Sequence, residues 1–136
     1  MNAKKMLQAW LAGFVVMYII SFIWYLFIIE PYNAKQFAEV AREEMSMTMI
    51  TLGYLVLTFL MSYMYPIGYR GGSPLNEGMR FGVLVGLTVS IPAALIFSGT
   101  YNMPLAANLI DGIYHTAEIT IGSIVMALIY GAEPSG

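Results

Sequence analysis

Apolar residues run along this chain in four long blocks separated by short polar intervals. A helix needs roughly 20 mostly apolar residues to cross a bilayer, and the blocks at about 6–29, 47–65, 76–98 and 105–130 reach that length. The pattern predicts an all-α integral membrane protein with four transmembrane helices in one domain spanning 1–136. Their ends carry local signals. Pro31 follows the first block, Ser73-Pro74 offers an N-cap with proline at N1 for the third, and Asn102-Met103-Pro104 opens the fourth.

The longest polar interval, about Glu30 to Met45, is too short to build a core of its own. Within it Asn33 is expected to cap a helix, with Gln36 reaching back to it. Ala34, Phe37, Ala38, Ala41 and Met45 then share one face against Lys35, Glu39, Arg42 and Glu43. That spacing predicts a short amphipathic segment at the membrane surface between helices 1 and 2, either separate from the second span or continuous with it. Tyr32, Tyr65, Tyr69, Tyr101 and Tyr130 fall near the predicted span ends, where aromatic belts sit.

Composition agrees with the pattern: 59% of residues are hydrophobic and 10% are charged, far from the balance of a soluble domain. Six Lys and Arg residues are scattered along the chain, so no basic patch is available for nucleic-acid phosphates. The absence of cysteine excludes disulfides, thiolate metal sites and cysteine nucleophiles. The start Met1-Asn2-Ala3-Lys4-Lys5 resembles a signal-peptide n-region, but the apolar block behind it is long and ends in Trp24-Tyr25-Leu26-Phe27, without a small-residue cleavage site. It reads as a retained span. Lys4, Lys5, Arg70 and Arg80 share one side and Lys35 and Arg42 the other, so the positive-inside rule puts both termini in the cytoplasm.

Small residues are the main device for bringing helices together in lipid, and on the third span Gly82, Gly86, Ser90, Ala94 and Ser98 recur every four residues. They predict a packing face. Pro92 interrupts the same helix near mid-membrane, predicting a kink and leaving the Thr88 carbonyl in need of another donor.

Chemistry concentrates on the fourth span, where Asp111, His115 and Glu118 stand four and then three residues apart, hence on one helical face continued by Gly122. An ionisable side chain at the bilayer centre costs about 2.5–3.5 kcal/mol even on the mild insertion scale, so such groups face protein or water and mark functional positions. Three roles fit this face: a proton-binding or ligand-binding site, a metal or haem-type centre with His115 as axial ligand, and a polar lock to Thr51, Tyr54, Thr58 or the carbonyl freed at Pro92. No second histidine or haem-attachment motif accompanies His115, so no cofactor is expected. There is likewise no plausible triad, zinc motif or phosphate loop to indicate an enzyme.

Phe22-Ile23-Trp24-Tyr25 at the end of span one, Glu77-Gly78 leading to Gly82, Gly86 and Pro92-Ala93-Ala94, and Leu109-Ile110-Asp111-Gly112-Ile113-Tyr114 together resemble a bacterial four-helix membrane family known as domain of unknown function 1761. The resemblance covers most of the chain. It implies the fold and a bacterial cytoplasmic (inner) membrane, and supplies no activity. The function expected is that of a small non-enzymatic membrane protein, an oligomer or a subunit of a larger membrane complex, with a buried polar cluster on helix 4. The alternatives are a small proton-linked transporter or channel and a cofactor-binding subunit using His115. Expected partners are the lipid bilayer, further copies or other membrane subunits, and no nucleic acid.

Overall fold

A computed structural model describes residues 2–132; Met1 and Ser135, at the two termini expected in the cytoplasm, lie outside the described residues. The described chain is helical throughout its regular structure: α1 (Ala3–Ile23) with a π-helical continuation (Trp24–Ile28), α2 (Glu30–Gln36), α3 (Met47–Gly68), α4 (Pro74–Thr100) and α5 (Leu105–Tyr130). Four helices are long and apolar enough to cross a membrane: Ala3–Ile28, Met47–Gly68, Pro74–Thr100 and Leu105–Tyr130.

Side-chain caps start α1, α3 and α4. Asn2 Oδ1 accepts from Lys5 N at 3.1 Å, and Ser73 Oγ accepts from Asn76 N at 3.4 Å with Pro74 in the first turn. Ser46 Oγ accepts from Met49 N at 3.4 Å and so begins α3 separately. The amphipathic segment is therefore shorter than its spacing predicts and does not run on into the second span. Asn33 also lies inside α2 instead of capping it, because Glu30 and Pro31 already form the first turn. Pro at the first helical positions costs no hydrogen bond, which lets the helix start four residues early, from a cap at Ile29 instead of Asn33.

The second span runs past its expected end at Tyr65, through Pro66, to Gly68. Pro66 has no N–H for the Ser62 carbonyl four residues back. Tyr130 Oη, from the far end of α5, donates to that carbonyl at 2.7 Å. A side chain from another helix thus replaces the missing donor. This also corrects the aromatic-belt reading for two tyrosines: Tyr65 and Tyr130 are 1% and 0% exposed and stack at 5.4 Å in the core.

The spans are arranged in the order α4, α5, α1, α3, with α5 central and α3 touching it only lightly. Glycine sets the α4–α5 approach: a Cβ on Gly82 would stand 2.5 Å from Thr120 Cα, and one on Gly86 2.7 Å from Thr116 Cα. Ser90 and Ala94 are buried on the same helix, and α4 stays continuous through Pro92. Between α1 and α5, Met17 packs where a Cβ on Gly122 would lie, and Met126 where one on Gly13 would lie. Flexible thioethers fill such gaps readily. Lys5 Nζ donates to the Tyr130 carbonyl at 2.8 Å, so the start of α1 and the end of α5 meet at one end of the bundle.

Candidate functional site

Asp111, His115 and Glu118 do come together on the face of α5 that looks toward α1 and α3. Glu118 is the deepest, 1% exposed as a residue, and lies about 10 Å along the helix from Asp111 at 1.5 Å rise per residue. Its carboxylate accepts from Tyr114 Oη at 2.8 Å and Tyr54 Oη at 3.0 Å through Oε1, and meets His115 Nδ1 at 2.9 Å through Oε2. Three polar neighbours thus replace the water that a buried carboxyl group loses.

The outer half of the cluster is built by the first span. Tyr25 Oη donates to Asp111 Oδ1 at 2.5 Å and lies 3.0 Å from His115 Nε2. Its neighbour Trp24 stacks on Tyr114 with ring centroids 4.5 Å apart. Both aromatic side chains lie in the π-helical turn Trp24–Ile28; π-turns within helices recur at functional sites because they re-aim side chains. Here consecutive residues both reach α5.

Of the partners expected for a polar lock, Tyr54 joins the cluster and the others do not. The Thr51 hydroxyl pairs with Tyr18 Oη at 2.6 Å, and Thr58 Oγ1 bonds the Tyr54 carbonyl at 2.7 Å. The Thr88 carbonyl facing Pro92 receives no side-chain donor from the cluster. Sequence reasoning missed Tyr25 and Tyr114. Tyr114 carried a signal, since it stands four residues before Glu118 on the same face; Tyr25 carried none.

Both ring nitrogens of His115 are engaged, one by Tyr25 and one by Glu118, so neither lone pair is presented to a metal or haem without breaking a bond. Among the described residues no group of three or more His, Asp or Glu side chains is placed to hold a metal ion.

An open cavity of about 780 Å³ reaches this cluster. Its inner end carries Ser21, Tyr25, Tyr54 and His115, its walls Phe22, Leu26, Phe37, Met45, Ile50 and Leu57, and its α2 side Glu30, Asn33 and Arg42. Gly53 also lines it and has nothing within 4 Å of where a Cβ would stand. Toward the other end of the bundle Met17, Met61, Tyr65, Ile119, Met126 and Tyr130 are at most 1% exposed and close the interior. No family model, curated protein or solved structure matches the chain.

Proposed function

We propose that this is a small non-enzymatic membrane protein that binds a neutral, lipid-soluble molecule in the cavity between the first span, α2 and α3. The observation that carries the reading is the cavity's mixed character: apolar walls lead to the Tyr25, Tyr54 and His115 cluster. Ligand sites are typically apolar clefts of about 300–1,000 Å³ with a few convergent polar groups. No Lys or Arg stands at the inner end, and Arg42 and Glu30 sit on the α2 side. The ligand class that fits is an apolar body with a hydroxyl or carbonyl head.

Gly53→Leu tests this. The side chain enters open space, and leucine is favoured over glycine in a helix by up to about 1 kcal/mol, so the protein should melt no lower than wild type. Saturable binding of a long-chain alkylphenol to protein in nanodiscs should weaken at least tenfold. Equal binding by wild type and variant would remove the cavity reading.

Assembly, as an oligomer or as a subunit of a larger membrane complex, belongs to the same proposal. The outermost place of α3, packed chiefly on α1, supports it. We extend the resemblance to domain of unknown function 1761 to membership, and with it propose a bacterial cytoplasmic membrane with both termini inside. Lys4, Lys5, Arg70 and Arg80 against Lys35 and Arg42 support that orientation. Cysteines placed at Asn33 and Ser135 should differ in intact cells, with an impermeant reagent labelling only the former; the reverse result overturns the orientation. A proton-linked transporter is the second reading, favoured by the unbroken hydrogen bonds from Asp111 to Glu118. Loss of pH-dependent flux in Glu118→Gln protein is its signature.

A further inference from the structure

The contacts Asp111–Tyr25 (2.5 Å), Tyr25–His115 (3.0 Å) and His115–Glu118 (2.9 Å) form one line of three hydrogen bonds, joined at its Glu118 end by Tyr54 and Tyr114. Each bond requires one proton. With both carboxylates ionised and the imidazole neutral, Tyr25 Oη and the ring supply only two. The line is complete only with one proton more.

That proton has three possible locations. On Glu118, the carboxyl donates to His115 Nδ1, Nε2–H donates to Tyr25, and Tyr25 donates to Asp111. On His115, both ring nitrogens donate, again leaving Tyr25 to donate to Asp111. On Asp111, every bond reverses: Asp111 donates to Tyr25, Tyr25 to Nε2, and Nδ1–H to Glu118. Passage between the end states moves three protons by one bond each. Glu118 loses a proton and Asp111 gains one, with no other change in the count.

We infer that Asp111, Tyr25, His115 and Glu118 hold a single shared proton that moves along this line between a buried end and an accessible one. The ends differ as such a relay requires, since the Glu118 side chain is 0% exposed and the Asp111 side chain 32%. Tyr54 from α3 and Tyr114 from α5 face the buried end and donate to Glu118. Among the described residues no Lys or Arg hydrogen-bonds to any member, so no fixed cation holds the proton at one position; Glu30 and Arg42 face the line only across the cavity. The inference goes beyond ligand binding and stands whether or not the cavity is filled.

His115 is the chain's one histidine, so selective 15N labelling reports on the middle of the line without assignment. The measurement is a titration of its ring 15N shifts in nanodiscs across about pH 5–8, where histidine ordinarily titrates. It is made on wild type, Asp111→Asn, Tyr25→Phe and the double variant. Asp111 Oδ2 also lies 3.6 Å from Nε2, so a purely through-space effect of Asp111 survives the loss of the Tyr25 hydroxyl. The relay predicts that Asp111→Asn moves the titration or tautomer of His115 when Tyr25 is present, by about one pH unit, and by less than a third of that in the Tyr25→Phe background. An equal effect in both backgrounds, or ring shifts that none of the variants alters, overturns the inference. Thermal melts within about 5 °C of wild type qualify each variant; should Tyr25→Phe miss that mark, Tyr25→Met removes the same hydroxyl and adapts its packing.

Discussion

Gly86→Leu is expected to lower the melting temperature by roughly 10 °C or more in detergent, because overpacking a tight contact costs about 1–3 kcal/mol and more where backbone must move. At Gly86 it must. The first added carbon alone would stand 2.7 Å from Thr116 Cα and 3.0 Å from Thr116 Cγ2. A main-chain atom cannot turn aside as a side chain does, so α4 and α5 have to separate. Thr116 also adjoins His115, and a displacement of α5 there carries the polar cluster away from Tyr25. Leu84→Phe is the control: Leu84 is 54% exposed, and a larger apolar group on a lipid-facing position should shift the melt by only a few degrees. Equal tolerance of both changes would remove the packing argument.

The parts of the structure that follow from single segments were legible in the sequence. Four spans came from hydropathy, the cap at Ser73-Pro74 from local chemistry, and the face shared by Asp111, His115 and Glu118 from a helical period of 3.6. What was not legible depends on which helices are neighbours. The second span reads as ending at Tyr65 until Tyr130, more than sixty residues away in the chain, supplies the donor that Pro66 lacks. Tyr65 and Tyr130 read as interfacial for the same reason, since only their mutual stacking makes them core. Asn33 was misplaced by a local ambiguity, with two overlapping start signals in Glu30-Pro31 and Asn33-Gln36. The cluster's missing member, Tyr25, needed both the α1–α5 adjacency and the π-helical turn, and neither leaves a spacing pattern in the chain.

Glu118 separates the structural and proton-handling roles of the cluster more sharply than any other residue. Glu118→Leu strands Tyr114 Oη, Tyr54 Oη and His115 Nδ1, at about 1–3 kcal/mol for each buried group left unpaired. Tyr54 borders the cavity and can turn into it, whereas Tyr114 is 8% exposed and stacked beneath Trp24. A net loss of about 2–5 kcal/mol is therefore expected, well above the ~0.6 kcal/mol average of interhelical hydrogen bonds in membranes. Glu118→Gln should behave differently. Oε1 accepts from both tyrosines, so the amide oxygen can take that position and keep both, while the NH₂ group replaces the Oε2 that Tyr54 also reaches at 3.2 Å and donates to His115 Nδ1. Shape and hydrogen bonds survive, and stability should stay within about 1 kcal/mol of wild type. Titration at the position does not survive. Flux in proteoliposomes and thermal stability, measured together across about pH 5–8, then divide the cases. A proton-linked transporter loses its pH-dependent flux in Glu118→Gln while folding normally. A polar lock shows no proton-coupled flux in wild type and suffers only in Glu118→Leu. If Glu118→Leu melts within about 1 kcal/mol of wild type, the lock is refuted. Wild-type proton-coupled flux that survives in Glu118→Gln would take Glu118 out of proton handling.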